Sequence, residues 1–238
     1  MRKLPWLLVL CILMAACNPR LANGLRRKDL HKDVEMVTDK GTLIIRLSDA
    51  TPLHRDNFLK LVQQHFYDSL LFHRVIKNFM VQGGDPSGRH STRDTHLGAD
   101  GPGYTLPAEF RPNLFHKKGA LAAARLGDDI NPQKASSGSQ FYIVEGKVFT
   151  DAGLDSVETF RLKGRKLPLS HREVYKTLGG APHLDQNYTV FGEVIQGMRV
   201  IDSLAAVPTS GHAGGDRPLQ DLHIIKVRLV NRHTYSRE

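Results

Sequence analysis

The chain has 238 residues, a hydrophobic share of 40% and a formal net charge of +9 with histidine neutral. That is enough apolar material for one substantial core, and the glycine and proline content excludes collagen-like and low-complexity chains. The basic excess raises nucleic acid as a partner, but Lys and Arg are spread along the chain and only 7% of residues are aromatic, so that class is set aside.

The first residues read as a targeting segment. Arg2 and Lys3 precede an apolar run, Leu4 to Leu13, that is too short to span a bilayer. Met14-Ala15-Ala16 then leads into Cys17, an ending similar to a bacterial lipobox with Met14 in place of the usual leucine. Residues 1–17 are therefore expected to be a lipoprotein signal peptide ending in a lipidated Cys17. Cys11 is the only other cysteine, so cleavage leaves one thiol, no internal disulfide, and a residue that acylation would protect. A plain signal peptide cut near the same place is the simpler alternative. Residues 18–32 are polar and basic without apolar periodicity and read as a tether.

Val34 to Leu47 holds two apolar runs around Asp39-Lys40-Gly41, the pattern of a hairpin. Thr51-Pro52 predicts a helix start with a hydroxyl cap, continued by Phe58, Leu61, Val62 and Phe66 at helical spacing. A strand from Phe72 follows, then polar loops around short strands from Arg89 to Pro112. His90 and His96 lie there as solvated loop residues. No two of the 12 histidines fall within four positions of each other, so no compact metal motif or cofactor site is predicted.

Gly119 to Arg125 and Ser137 to Val144 read as strands. Asp155-Ser156-Val157-Glu158 and Ser170-His171-Arg172-Glu173 each fit a capping box, and Gly179-Gly180 marks a stop, so residues 147–182 read as an inserted helical hairpin. In its middle, the basic run Arg161 to Lys166 reads as a solvated helix face. Tyr188 to Ile195 is a strand, Gly197 to Ala206 an amphipathic helix through Val200, Ile201 and Leu204, and Pro208 to Pro218 a glycine-rich loop. Ile225, Val227 and Leu229 alternate as the inward face of a last strand. No linker divides residues 33–232, and residues 233–238 form a tail. Many strands with a helix near each end predict a mainly β, antiparallel barrel capped by two helices, with the hairpin inserted.

The stretch from Phe72 to Asp85, FHRVIKNFMVQGGD, carries the chemistry. Arg74 interrupts an apolar run with a charge that cannot be neutralised and costs several kcal/mol to bury unpaired, so it must face a surface where its donors have partners. Phe79 and Met80 supply apolar wall, Gln82 an amide able to hold a guanidinium, and Gly83-Gly84 a sharp turn.

This stretch, with GALAAAR, SGSQFYIV and HLDQNYTVFGEVIQGM in the same order downstream, resembles the cyclophilin family of peptidyl-prolyl cis–trans isomerases over about residues 33–230. The resemblance implies a closed eight-stranded barrel and places the catalytic arginine at Arg74. It places substrate-facing residues at His73, Phe79, Met80, Gln82, Ala124, Arg125, Gln140, Tyr142, His183, Leu184 and Tyr188. His73 has no proton to move in such a reaction and is expected to pack and hydrogen-bond. Arg125 stands where many members have asparagine, and its backbone remains available to a peptide. Tyr142 stands where a phenylalanine is usual, so its hydroxyl is expected to find water or a partner at the pocket rim. His183 replaces the tryptophan of cyclosporin-sensitive members, which implies weak drug binding, and Tyr188 replaces a histidine. Residues 147–182 have no counterpart in minimal members; they either shape partner choice and access or are a tolerated surface insertion.

The implied function is isomerisation of Xaa-Pro bonds in exported or envelope proteins of a bacterium, from a lipid anchor facing the periplasm or outer surface. The partners are then proline-containing polypeptides and the membrane, without nucleic acid or cofactor. Two other classes are a non-catalytic proline-peptide-binding holdase at the membrane surface, and a basic module for polyanions.

Overall fold

The computed structural model describes residues 24–233. The expected signal peptide, Cys17, the start of the tether and the last five residues lie outside that range. In chain order the elements are β1 (Lys32–Thr38), β2 (Gly41–Leu47), α1 (Pro52–Gln63), β3 (Leu70–Ile76), β4 (Met80–Gly83), β5 (Thr105–Leu106), β6 (Ala120–Ala123), β7 (Ser136–Ser137) and β8 (Phe141–Val144). They continue with α2 (Asp151–Ser156), a π-helical turn (Val157–Arg161), α3 (Leu169–Thr177), β9 (Val190–Gln196), α4 (Met198–Ala205) and β10 (His223–Asn231).

Eight strands close an antiparallel barrel in the order β1-β10-β3-β4-β8-β6-β9-β2, while β5 and β7 pair as a separate small sheet. The alternation of a pleated strand explains both of its faces. Val75, Val81, Leu121, Phe141 and Ile143 point into the main core, which α1 closes with Phe58, Leu61 and Val62, and α4 with Ile201 and Leu204. Phe58 meets Phe141 edge to face at 5.6 Å. Each such buried side chain contributes about 1.5–3 kcal/mol relative to exposure. The residues between them, Met80, Ala120, Ala122, Tyr142 and Val144, form a second apolar cluster on the outer wall.

Several local expectations are corrected. Residues 18–32 are not a tether to the end: Leu25 is buried in the main core, and Arg27–His31 form a 3-10 turn. Gln63 of α1 donates to Asp29 at 2.8 Å there. Helix α1 begins at Pro52, but Thr51 does not cap it; its hydroxyl donates to the Ser48 carbonyl. The orphan N–H groups of Leu53 and His54 donate instead to the Glu109 carboxylate at 3.2 and 3.0 Å, a negative group at the positive end of the helix.

The expected strand Ser137 to Val144 is split, because Ser139 and Gln140 leave the ladder between β7 and β8. In β10 the inward residue is Ile224, with Ile225 turned to solvent. Lys226 pairs with Val37 and Ile224 with Thr38, so Ile225 is the extra residue of a bulge and the alternation shifts by one. Phe66 lies beyond the end of α1, packed against the core from the following turn.

The inserted hairpin is present, but neither expected capping box forms. Helix α2 starts earlier, with the Thr150 hydroxyl accepting from Gly153 N–H at 3.1 Å, and α3 starts at Leu169, so Asp155 and Ser170 fall inside helices. Asp155 and Glu158 are engaged by Arg172 at 3.0 and 2.8 Å, which ties the first arm to the second. Leu154, Leu162, Leu167 and Tyr175 form a small core of their own. The base is clipped by Gly180, which pairs with both Lys117 and Lys147. A Cβ at Gly180 (φ +152°) would strike the His116 carbonyl, so glycine is required where the chain returns to the barrel.

Candidate active site

The register of four neighbouring strands assembles the candidate site. Arg74 of β3 lies opposite Gln82 of β4, Gln82 opposite Tyr142 of β8, and Tyr142 opposite Ala122 of β6. All four are in one row across the outer wall. A bulge at His73 makes this possible: Phe72 pairs with Gly83 and Arg74 with Gln82, so Phe72 enters the core while Arg74 faces out.

Arg74 is half-buried and held from two sides. Its Nη1 donates to Gln82 Oε1 at 3.3 Å, and its Nε lies 3.6 Å from Asp216 Oδ2. Gln82 is fixed in turn, donating from Nε2 to Gln140 Oε1 at 3.1 Å, and Gln140 Nε2 donates to the Asp100 carbonyl at 2.7 Å. The chain ends on a backbone group, so every amide in it has a defined orientation. Gly84 (φ +94°) permits this approach, because a Cβ there would meet the Ser139 carbonyl.

Beside the guanidinium lies the second cluster. Met80, Tyr142 and Leu184 are buried in it, with Phe79, Ala124 and Tyr188 half-exposed around them. His183 packs on Phe79 with ring centroids 5.3 Å apart. Burial first, and the Arg161 charge second, bring the His183 pKa down to about 4. Arg125 stacks over the Tyr188 ring at 4.4 Å, with Nε donating to the Asn187 carbonyl at 2.8 Å. Among the described residues no hydrogen bond takes its backbone N–H or C=O, so that edge is open to a peptide.

Two expectations are revised. His73 is buried; neither ring nitrogen makes a hydrogen bond of normal geometry among the described residues, the Leu71 backbone giving only a weak polar contact, so it mainly packs. Burial lowers its pKa to about 4, opposed by the attraction of Asp85. The Tyr142 hydroxyl finds its partner inward rather than at the rim, 3.0 Å from His116 Nε2, in surroundings that push its pKa well up, through burial first. Gln140 is buried and braces Gln82. Asp216, His116 and Asp185 carry no motif of their own. Asp216 arrives on the 208–218 loop, whose backbone accepts from Val75 N–H at 2.9 Å. Asp185 had one clue, its place directly after Leu184.

Residues 33–229 match the family model for cyclophilin type peptidyl-prolyl cis-trans isomerases. The chain belongs to this family. A cyclophilin-type isomerase is thus the enzyme class, and the relatives agree. A Staphylococcus haemolyticus protein provisionally named a peptidyl-prolyl cis–trans isomerase is 32% identical over 201 residues, covering 84% of this chain and 91% of that one. A Staphylococcus epidermidis counterpart is 34% identical over 193 residues, 80% of this chain and 88% of the other. A Streptococcus pyogenes protein provisionally named a bifunctional phosphatase/isomerase is 33% identical over 202 residues, 83% of this chain, which spans only 38% of that longer protein.

Among solved structures, a Cryptosporidium parvum cyclophilin type isomerase superposes with a TM-score of 0.61 at 23% identity, over 85% of this chain and 99% of that one. A second structure of that protein was determined in the presence of the dipeptide Ala-Pro. These two establish the shared fold, and the cyclophilin barrel here is the expected eight-stranded one.

Proposed function

We propose that Arg74 accelerates Xaa-Pro rotation by donating to the prolyl nitrogen in the twisted transition state. The planar amide has no free lone pair on nitrogen; rotation through a barrier of about 18–20 kcal/mol breaks the resonance and restores one. A fixed donor aimed at that nitrogen binds the transition state and hardly the ground state. Nothing in this step needs a nucleophile or a proton transfer.

The observation that carries the reading is the fixed guanidinium beside the apolar cluster: Arg74, Gln82 and Gln140 in one hydrogen-bonded line, with Phe79, Met80, Tyr142 and Leu184 alongside. The apolar group would hold the prolyl ring, and the open backbone of Arg125 the preceding residues. One charge-assisted bond contributes about 1.5–3 kcal/mol, whereas a 10⁵-fold rate gain needs about 7, so ring and backbone anchoring must supply the difference.

The test uses residues 18–238 and an Ala-Pro peptide, with exchange followed by NMR. Arg74→Ala should remove most of the turnover while leaving measurable peptide binding; full turnover in that variant would end the proposal. Protection of unfolded clients with no catalysed exchange in the unsubstituted protein would instead support the holdase reading.

We further propose exported or envelope proteins as the clients, with the domain held at the membrane through Cys17. The support is the N-terminal order of two basic residues, an apolar run and a cysteine. Cys17→Ser should move the protein from the membrane fraction to the soluble one, and an unmodified Cys17 by mass spectrometry would rule the anchor out.

A further inference from the structure

A line of buried polar side chains runs from the inserted hairpin to the wall of the candidate site. Tyr175 of α3 donates its hydroxyl to Asp185 Oδ2 at 2.7 Å. Asp185 Oδ1 accepts from His116 twice, from the backbone N–H and from Nδ1, both at 2.9 Å. His116 Nε2 lies 3.0 Å from the Tyr142 hydroxyl. Tyr175 and His116 are fully buried, and Asp185 and Tyr142 nearly so.

The chemistry of the groups orients the line. A carboxylate only accepts, so His116 Nδ1 carries the hydrogen, and Nε2 is left to pair with the Tyr142 hydroxyl. Two consequences follow for the site. The Tyr142 hydroxyl is drawn into the protein, so the wall presents the apolar ring and not an unsatisfied polar atom. Asp185 also directly follows His183 and Leu184, so three hydrogen bonds on its carboxylate pin the segment that carries both. Tyr175 in turn sits in the hairpin's own core, among Leu154, Leu162 and Leu167.

We infer that Tyr175, Asp185 and His116 are positioning residues for the isomerase site, and that the inserted hairpin is a structural part of the substrate-binding wall that sets affinity for the prolyl peptide. The inference rests on the placement of the site proposed above. Loss of a donor to Asp185 frees the buried carboxylate to reorient, which loosens the Tyr142 ring and Leu184 together; the effect falls on peptide binding, because Arg74 is held by a separate line through Gln82.

The experiment compares steady-state KM and kcat on an Ala-Pro peptide for Tyr175→Phe, Tyr142→Phe, His116→Leu and the double variant His116→Leu/Tyr142→Phe, with Arg74→Ala alongside. Tyr175→Phe should raise KM about fivefold, the worth of one hydrogen bond, with kcat little changed. Tyr142→Phe takes the partner from the buried His116 Nε2 and serves as the reference against which the double variant is read. His116→Leu strands that hydroxyl and also removes one donor to Asp185, so it should lower kcat/KM about tenfold, with only the share due to the hydroxyl recovered in the double variant. Tyr175→Phe with a lowered melting temperature and an unchanged KM would overturn the inference, as would a double variant no better than His116→Leu. Should His116→Leu fail to fold, the KM of Tyr175→Phe decides alone. An active Arg74→Ala would instead count against the site placement, so the two failures are distinguishable.

Discussion

Gln82 stands directly across the β3–β4 ladder from Arg74 and receives its guanidinium on Oε1 at 3.3 Å. The same amide donates to Gln140, so the arginine is fixed through a side chain that is itself fixed.

Gln82→Ala removes the acceptor and strands Gln140 as well. The loss of about 1–1.5 kcal/mol of orientation should lower kcat/KM about tenfold, mainly through kcat. Exchange NMR on an Ala-Pro peptide measures it, and a change confined to KM would show that Gln82 serves binding and not the arginine.

Asp216 holds the other side of the guanidinium by charge, with Arg74 Nε 3.6 Å from Oδ2. A partly exposed pair contributes only about 0.2–1 kcal/mol, so Asp216→Asn should cost at most about fivefold, less than Gln82→Ala. The reverse ranking would mean that charge, not the amide, positions the arginine.

His73 makes the fold acid-sensitive. Its folded pKa is about 4, from burial, against about 6.5 in the unfolded chain. Between those values the unfolded state binds the proton and the folded state does not. Stability is therefore fully present above pH 6.5 and falls as the pH drops toward 4, by about 3 kcal/mol from this group. Urea unfolding from pH 7.5 to 4 should show a shallower decline for His73→Phe, with a small cost at pH 7.5, since the ring nitrogens make no hydrogen bond of normal geometry. Parallel curves for the two proteins would contradict this account.

The bulge in β10 separates two adjacent isoleucines. Ile224 is fully buried and Ile225 about half exposed, at 48%. Ile224→Ala should destabilise by about 2–5 kcal/mol and Ile225→Ala by less than about 0.5. Equal losses in denaturant titrations would mean that the strand keeps a plain alternation.

Read from sequence alone, most barrel strands and both capping helices were legible, because period-two and helical apolar spacing are local consequences of which face is buried. The turn at residues 77–79 that divides the expected strand from Phe72 into β3 and β4 was not, and the inserted hairpin was marked by its Gly179-Gly180 stop although its expected capping boxes do not form. That Arg74 would face a surface where Gln82 could hold it, beside the Phe79-Met80 pair, was legible too, since a fixed charge inside an apolar run needs partners. Tertiary structure decided the rest. The bulges at His73 and Ile225 depend on the partner strand, and the helix cap supplied by Glu109 comes from 55 residues away. The partners of Arg74 and Tyr142, Asp216 and His116, arrive on segments with no pattern of their own. A hydrogen bond across the fold leaves no periodicity in the chain, because it depends on where two backbones meet and not on what lies beside either residue.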